Sequence, residues 1–438
     1  MLAVKSETSA QLRRGLLSAY RRTRSLTLQL VAPLEPEDFR IQSMEDVSPP
    51  WWNLGHTSWF FARNILKPFG RYLPQDERLE YVMNSYYEAL GERVPRAERG
   101  LVTRPTTQEV LDFRQSVDER LESLILEAPE GDFERLHFLV TTGIQHEQQH
   151  QELLVTEMKH ILGSNVRALR RPYQEPPEED LQPPVPFALR SVPGGLIDFG
   201  HSGEEWAWDN ERPTHRAFLT DFRIANRLAT NGEFMEFVED GGYRSPLLWL
   251  ANGWERVQEE GWSGPLYWEK VDGRWQQWTL GGDLAVDAEE PVCHVSFYEA
   301  DAFLRWKGST DGEWKGARLP TEREWEHSVR CLGFDTGGGN LLDDLNLHPR
   351  RARGTEACLD QAAGDLWEWT SSHYEAYPAY RPFAGDLMEY NGKFMDNQRV
   401  LRGGSCATPR NHIRATYRNF WHASTRFQLT GIRAAADA

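Results

Sequence analysis

Apolar residues recur at helical spacing along the first part of the chain. Ser9–Val31 and Thr106–Ala128 each carry one apolar stripe, and a capping box at Thr106 opens the second of these ranges. Further long helices are predicted after the Pro49-Pro50 pair, which suits a first helical turn, and over about Phe133–Leu162. Four long helices of this kind predict an all-α four-helix bundle.

The segment from residue 171 to residue 187 interrupts this pattern. It holds six prolines among acidic residues, a composition that forms neither a helix nor a central strand. We therefore predict a linker at 171–187, which joins a helical domain at 1–170 to a second domain at 188–438.

Segments become shorter after the linker, and glycine and tryptophan become more frequent. Capping boxes that begin at Thr230, Ser296 and Thr321 predict short helices. Short strands are predicted over Phe222–Ala225, Val400–Arg402 and Gly431–Ala434. Such a mixture is typical of an α+β domain with much irregular structure.

Composition and charge argue against several classes of function. The 49 basic and 66 acidic residues give a net charge of −17, which disfavours a nucleic-acid partner and an anionic membrane surface. No apolar run approaches the roughly 20 residues that span a bilayer. Four widely spaced cysteines predict reduced thiols and a cytoplasmic protein. The oligomeric state stays open, a homo-oligomer included.

The stretch Ile144–Glu152 carries the clearest chemical signal. His146 and His150 are four residues apart, so on a helix both imidazoles lie on one face within reach of a single metal ion. That face coincides with an apolar stripe, and a buried pair of imidazoles needs a binding partner. His56, on an inward face rich in tryptophan, is the natural third imidazole. Satisfied core histidines remain the alternative at this point.

Several motifs in the second half carry a resemblance to a known family. The second domain resembles the formylglycine-generating-enzyme/sulfatase-modifying domain, a variant of the C-type lectin fold, and the first resembles a DinB-like bundle. The motifs of the second domain are Thr230–Phe234, Arg318–Glu326, Gly364–Thr370, Arg402–Ser405 and Thr430–Arg433. Together the two halves resemble the sulfoxide synthases of ergothioneine biosynthesis.

This resemblance implies a non-haem iron(II) enzyme. Members of the family use O2 to join a thiol to C2 of the imidazole of Nα-trimethylhistidine (hercynine) and to oxidise the product to a sulfoxide. The family's iron ligands carry over onto His56, His146 and His150. Gln149 and Asn419 match positions that contact the trimethylhistidine.

The thiol substrate implied by the resemblance is free cysteine. Members that use γ-glutamylcysteine carry an acidic residue shortly after the position of Asn419, where this chain has Phe420 and Trp421. In the cysteine-using branch the catalytic tyrosine comes from the helical domain, so that role carries over onto Tyr86 and Tyr87, with the choice between them open.

Physical chemistry gives these residues plausible tasks. Three imidazoles leave open coordination positions on iron for two substrates and O2. A phenol can supply a proton that separates C–S bond formation from simple thiol oxidation. Aromatic faces at Phe420 and Trp421 suit a quaternary ammonium or a small thiol pocket. Arg96 or Arg99, in a basic loop, could bind the cysteine carboxylate.

Other functions fit parts of the pattern. His146-Glu147-x-x-His150 is formally the signature of a zinc hydrolase, although Glu147 lies about 100° around the helix from His146 and Thr156 stands where a third histidine would follow. Formylglycine generation needs two reactive cysteines near Arg402–Ser405, where only Cys406 occurs. The remaining alternatives are a non-catalytic lectin-like binding module, and related synthases that use γ-glutamylcysteine, histidine with cysteine, or a selenosugar.

Overall fold

Long helices form the first part of the chain in the computed structural model, and short helices and strands with long loops form the second. The structure describes residues 9–87, 91–164, 166–178, 180, 182–354 and 359–438. The chain folds into two compact units, Met1–Leu169 and Arg170–Ala438. None of the described helices is both long enough and apolar enough to cross a bilayer.

The first unit is the predicted helical bundle with one additional helix. Its α-helices are α1 (Ser9–Val31), α2 (Pro50–Phe61), α3 (Pro74–Met83), α4 (Thr107–Glu127) and α5 (Glu130–Gly163). The helices α1 and α2 each pack against both α4 and α5. The pattern did not predict α3, which is short and mostly polar, and the structure extends α5 beyond its predicted ends.

Local sequence explains how the bundle helices begin. Pro50 occupies the first turn of α2, where a missing N–H costs nothing, and the predicted capping box at Thr106 opens α4. Every residue of α2 is buried, and the helix continues into a π-helical turn at Ala62–Leu66. This makes α2 the central helix of the unit.

The second unit is the predicted α+β domain. Its helices are α6 (Asn231–Glu239), α7 (Ala251–Glu260), α8 (Phe297–Thr310) and α9 (Glu322–Leu332). Its strands are β1 (Leu189–Val192), β2 (Gly195–Phe199), β3 (His215–Leu219), β4 (Phe222–Ala225), β5 (Trp268–Val271), β6 (Arg274–Thr279), β7 (Gly282–Ala285), β8 (Trp367–His373), β9 (Gln398–Arg402), β10 (Asn419–His422), β11 (Thr430–Gly431) and β12 (Ala435–Asp437). The capping boxes at Thr230, Ser296 and Thr321 are confirmed.

Small sheets organise this unit. The described strands form sheets of order β10-β9-β8-β11, β1-β4-β12, β5-β6-β7 and β2-β3. The predicted strand at Phe222–Ala225 is confirmed as β4, and the one at Val400–Arg402 lies within β9. The prediction of one strand over Gly431–Ala434 is wrong, because the chain leaves β8 at Gly431 and joins β4 from Ala435.

The proline-rich segment between the two halves lies against the second unit. The backbone N–H groups of Tyr173 and Gln174 both donate to the carbonyl oxygen of Leu280. Arg170 forms ion pairs with Glu269 and Asp283. The segment is therefore fixed to one surface by contacts along its length.

Tryptophans fill much of both cores. Three fully buried indoles lie in α2, and others pack beneath the loops of the second unit; the set is Trp51, Trp52, Trp59, Trp208, Trp278, Trp314, Trp325, Trp367 and Trp369. Cys293, Cys331 and Cys406 are free thiols, whereas Cys358 lies outside the described residues. The unusual tryptophan content therefore serves mainly to pack irregular segments.

Candidate metal centre

Three histidines meet in the core of the helical unit. The nitrogens of His56, on α2, and of His146 and His150, on α5, all lie within 4.8 Å of one another. The Nε2 atoms of His56 and His146 are 3.1 Å apart. The structure therefore brings the three predicted histidines together at one point.

Aromatic and glycine neighbours fix these rings. Trp52 stacks on His56 with ring centroids 4.5 Å apart, and Phe60 stacks on His146 at 4.1 Å. Gly55 lets the Met83 side chain approach α2 closely, since a Cβ atom there would lie 2.4 Å from its terminal methyl group and would force that side chain to move. That approach matters because the Met83 backbone is a partner of His56.

Hydrogen bonds select the tautomer of two of the imidazoles. His56 Nδ1 lies 2.6 Å from the backbone oxygen of Met83, which can only accept, so this nitrogen carries the proton. His150 Nδ1 lies 2.8 Å from Asn53 Oδ1 and donates to it for the same reason. In both rings the lone pair is therefore on Nε2, the nitrogen available to a metal.

Burial keeps all three imidazoles neutral. It lowers the pKa of His56, His146 and His150 well below the ordinary value, and the neighbouring imidazoles lower it further. Metal ions bind neutral imidazole, so none of these three side chains has to lose a proton before it binds a metal. A set of three neutral nitrogen donors fits divalent iron, and zinc as well.

Glu147 points away from this cluster into a buried ion network. Its carboxylate accepts from Arg24 at 2.9 Å, from Arg114 at 2.6 Å and from Thr27 at 2.6 Å. Although burial opposes ionisation, the two guanidinium groups lower the pKa of Glu147 to about 2. A carboxylate engaged in this way cannot serve as the general base of a zinc hydrolase, which argues against that alternative. Arg24 belongs to a basic run on α1 of the kind that usually forms a solvated face, yet it is buried.

The two tyrosines differ in burial. Tyr87 is 1% exposed and lies beside Trp59, which stacks on His56, whereas Tyr86 is half-buried and stacks on Tyr87 at 4.7 Å. The side chain of Asn84 bonds both to the N–H and to the carbonyl of Tyr87. Tyr87 is therefore the more firmly held of the two.

The arginine candidates also differ. The predicted basic loop is a short 3-10 helix, Arg96–Leu101, in which Arg96 is exposed and Arg99 is 2% exposed. The Arg99 guanidinium lies 3.4 Å from the centroid of the Trp52 ring and donates to the hydroxyls of Ser48 and Ser85. Among the described residues no carboxylate pairs with it. Burial and the charge of Arg96 lower the pKa of Arg99.

Gln149, in the first unit, is half-buried on α5, and the candidates in the second unit lie on β10. Asn419 Oδ1 accepts from the backbone N–H of Phe420. The Phe420 ring stacks on Tyr374 at 4.0 Å, and Trp421 packs edge-on against Phe427. Because neighbouring residues on a strand point to opposite faces, Phe420 and Trp421 cannot line one wall together, and only Trp421 shares a face with Asn419.

Comparison with known proteins places this arrangement in a family. The model of the sulfatase-modifying factor enzyme 1-like domain matches residues 175–346 and 348–438, and that of the DinB superfamily matches residues 19–154. The chain is 30% identical to the hercynine oxygenase of Mycolicibacterium thermoresistibile over 100% of this chain and 97% of the relative. The chain belongs to the hercynine oxygenase family. The sequence-based resemblance to the sulfoxide synthases of ergothioneine biosynthesis is confirmed.

Two further members of the family support this assignment. The hercynine oxygenase of Mycobacterium tuberculosis is 29% identical over 95% of this chain and 97% of its own length. That of Mycolicibacterium smegmatis is 32% identical over 67% of this chain and 70% of its own length. All three histidines lie within the residues that the DinB model matches in this chain.

Sequence reasoning missed the residues that support the histidines. Asn53 bonds to His150, and Glu157 bonds to Asn53, yet neither was singled out. A signal was available for Glu157, because it falls on the same stripe of α5 as His146 and His150. A carboxylate at helical spacing on a buried stripe requires a polar partner inside the core.

Proposed function

We propose that this chain is an iron-dependent sulfoxide synthase of ergothioneine biosynthesis, which joins cysteine to C2 of the imidazole of trimethylhistidine and uses O2 to form the sulfoxide. The observation that carries the proposal is the convergence of His56, His146 and His150 in a chain whose full-length relatives are named hercynine oxygenase. The cytoplasmic location and a homo-oligomer remain predictions from the sequence.

The three histidines would hold the iron. Bound Fe(II) would supply the redox chemistry through which O2 acts on the two substrates. The protein contributes rigidity, because Trp52, Phe60 and the hydrogen bonds to Met83 and Asn53 leave the rings little freedom. On the family resemblance we propose Gln149 and Asn419 as residues that bind trimethylhistidine, and an aromatic side chain such as Trp421 suits its quaternary ammonium.

The cysteine carboxylate would bind Arg99. A buried guanidinium is costly unless an anion compensates it, and the partners of Arg99 among the described residues are neutral hydroxyls. A substrate carboxylate would complete this site with a charge-assisted hydrogen bond. Its place beside Trp52, which stacks on His56, supports a site close to the metal.

Replacing Arg99 by methionine tests this role. We expect the KM for cysteine to rise by about 10–100-fold, the equivalent of about 1.5–3 kcal/mol for a hydrogen bond to a charged group, with the KM for trimethylhistidine unchanged. The free energy of unfolding should not fall, because the variant removes an uncompensated buried charge. Arg96→Met, which removes an exposed guanidinium, is the matched control. An equal effect of both variants would contradict the choice of Arg99.

Tyr87 would donate the proton that directs the reaction to the sulfoxide. We expect Tyr87→Phe to lower the rate of sulfoxide formation by about 100-fold or more, within the range of general acid catalysis, and to divert O2 to oxidation of cysteine alone. Mass spectrometry of the products separates the two outcomes. Tyr86→Phe serves as the control, and a larger loss in that variant would reverse the assignment.

One experiment tests the proposed function as a whole. The purified chain is loaded anaerobically with Fe(II), and O2 consumption and products are measured with trimethylhistidine plus cysteine, and with trimethylhistidine plus γ-glutamylcysteine. We expect the sulfoxide of the trimethylhistidine–cysteine conjugate, and we expect it to form only when iron is bound. Turnover that is as fast with zinc, or a preference for γ-glutamylcysteine, would overturn the metal or the thiol assignment respectively.

A further inference from the structure

A chain of buried hydrogen bonds connects the metal cluster to Arg99. His150 Nδ1 donates to Asn53 Oδ1 at 2.8 Å, and Asn53 Nδ2 donates to Glu157 Oε2 at 2.6 Å. The other oxygen of Glu157 accepts from the backbone N–H of Ser48 at 2.9 Å, and the Ser48 hydroxyl accepts from Arg99 at 2.8 Å. Each of these residues is less than a tenth exposed.

The carboxylate at the centre of this chain determines which way the Asn53 amide faces. Both oxygens of Glu157 accept from N–H groups, one of them the NH2 group of Asn53, and this leaves the Asn53 amide oxygen toward His150. That oxygen in turn requires a proton on His150 Nδ1 and leaves the lone pair on Nε2. Glu157 thus sets the tautomer of the metal-binding His150 through one intervening residue, Asn53.

The second oxygen of Glu157 connects the carboxylate to Arg99, at the other end of this series of hydrogen bonds. It binds the N–H of Ser48, which lies just before α2, and so holds the hydroxyl that contacts Arg99. Burial raises the pKa of Glu157 to about 7, and the ionised form of its carboxyl favours the charged form of Arg99. Two hydrogen bonds, rather than an ion pair, hold the Glu157 carboxylate within the described part of the chain. A buried carboxylate without an ion pair lowers the stability of the fold, which indicates that Glu157 serves a purpose other than stability.

We propose that Glu157 is a positioning residue that fixes the tautomer of His150 through Asn53 and the place of Arg99 through Ser48. A single carboxylate would then prepare both the metal site and the site for the thiol substrate's carboxylate. This inference rests on the proposed function, because it takes the histidines as metal ligands and Arg99 as the carboxylate-binding residue.

Glu157→Gln is the informative substitution. Glutamine has the shape of glutamate but only one acceptor atom, so either Ser48 or Asn53 must face an NH2 group. If the Asn53 amide turns in response, it presents a donor to His150 and favours the tautomer that cannot bind metal through Nε2. We expect the affinity of the metal-free full chain for Co(II), followed by visible absorption, to fall by about 10–100-fold.

A second variant separates the two ends of the chain. Asn53→Leu should lower the Co(II) affinity in the same way, and the double variant should be no weaker than the weaker single variant, since both act through one hydrogen bond. Cysteine binding to the Co(II)-loaded protein should weaken in Glu157→Gln but not in Asn53→Leu. Asn64→Leu is the control, because it replaces a buried amide in the π-helical turn after α2 whose partner among the described residues is the backbone oxygen of Phe60; it should leave the affinity unchanged.

Each outcome bears on the proposal. Thermal melting of the metal-free variants first establishes that they fold. A Co(II) affinity of Glu157→Gln within about twofold of the parent, or effects of the two substitutions that simply add, would overturn the inference. A parent chain that binds Co(II) no better than His150→Ala would instead refute the metal centre, so failure of the proposed function is distinguishable.

Discussion

Substitution of Glu147 by glutamine is expected to lower the free energy of unfolding by about 3–5 kcal/mol, the cost of removing one partner from a buried ion network. Both guanidinium groups that contact Glu147 are almost completely buried, with side-chain exposures of 4% for Arg24 and 2% for Arg114. Neither can reach water when the carboxylate is lost. Urea denaturation of the metal-free chain measures the change directly.

The matched control for Glu147→Gln is Glu122→Gln. Glu122 also pairs with an arginine across two helices, but the side chain of that arginine, Arg21, is 58% exposed. The same chemical change should therefore cost only about 0–1 kcal/mol at this surface pair. Equal losses in the two variants, or a Glu147 variant as stable as the parent, would contradict the structural role of the network.

A large part of the fold could be predicted because its signals are local. The capping boxes at Thr106, Thr230, Ser296 and Thr321 each depend on residues three positions apart, and each opens a helix as expected. The His146–His150 pair is likewise a matter of helical spacing. These features need no knowledge of how distant segments meet.

Features that depend on distant partners were harder to predict. Arg24 lies in a basic run typical of a solvated face, yet it is buried, where it pairs with Asp118 and Glu147 on helices far along the chain. Likewise, only Gly431 of the strand predicted over Gly431–Ala434 pairs with β8, and pairing with β4 begins beyond it at Ala435. No local pattern reports either arrangement.

The candidate site shows the same division. Spacing identified His146 and His150, and an inward face rich in tryptophan indicated His56, but the hydrogen bonds of Asn53 depend on the packing of α2 against α5. Phe420 and Trp421 are adjacent in the sequence, but on β10 their side chains point to opposite faces. Only Trp421 lies on the same face as Asn419. The chemistry of the site thus depends on tertiary contacts around residues that the sequence identifies.

The largest loss of activity is expected for His56→Ala. His56 supplies the nitrogen from α2, whereas His146 and His150 both lie on α5, so its loss leaves two ligands from a single helix. Iron content after anaerobic loading and dialysis should fall, and sulfoxide formation should fall by more than about 100-fold, the upper end for loss of an outer partner of a metal ligand. Both quantities are measurable on the same samples.

His137→Ala is the matched control for His56→Ala, because it removes a partly exposed imidazole on α5 that packs on Phe133. It should retain iron and activity. Free imidazole added to His56→Ala should restore part of both, since the substitution leaves a ring-sized cavity between Trp52 and Trp59, whose indoles stack on the native ring. Iron retention by His56→Ala equal to that of the parent would contradict ligation by His56. Loss of iron without rescue by imidazole would instead indicate that the unit had lost its packing, which thermal melting of the same variant would reveal.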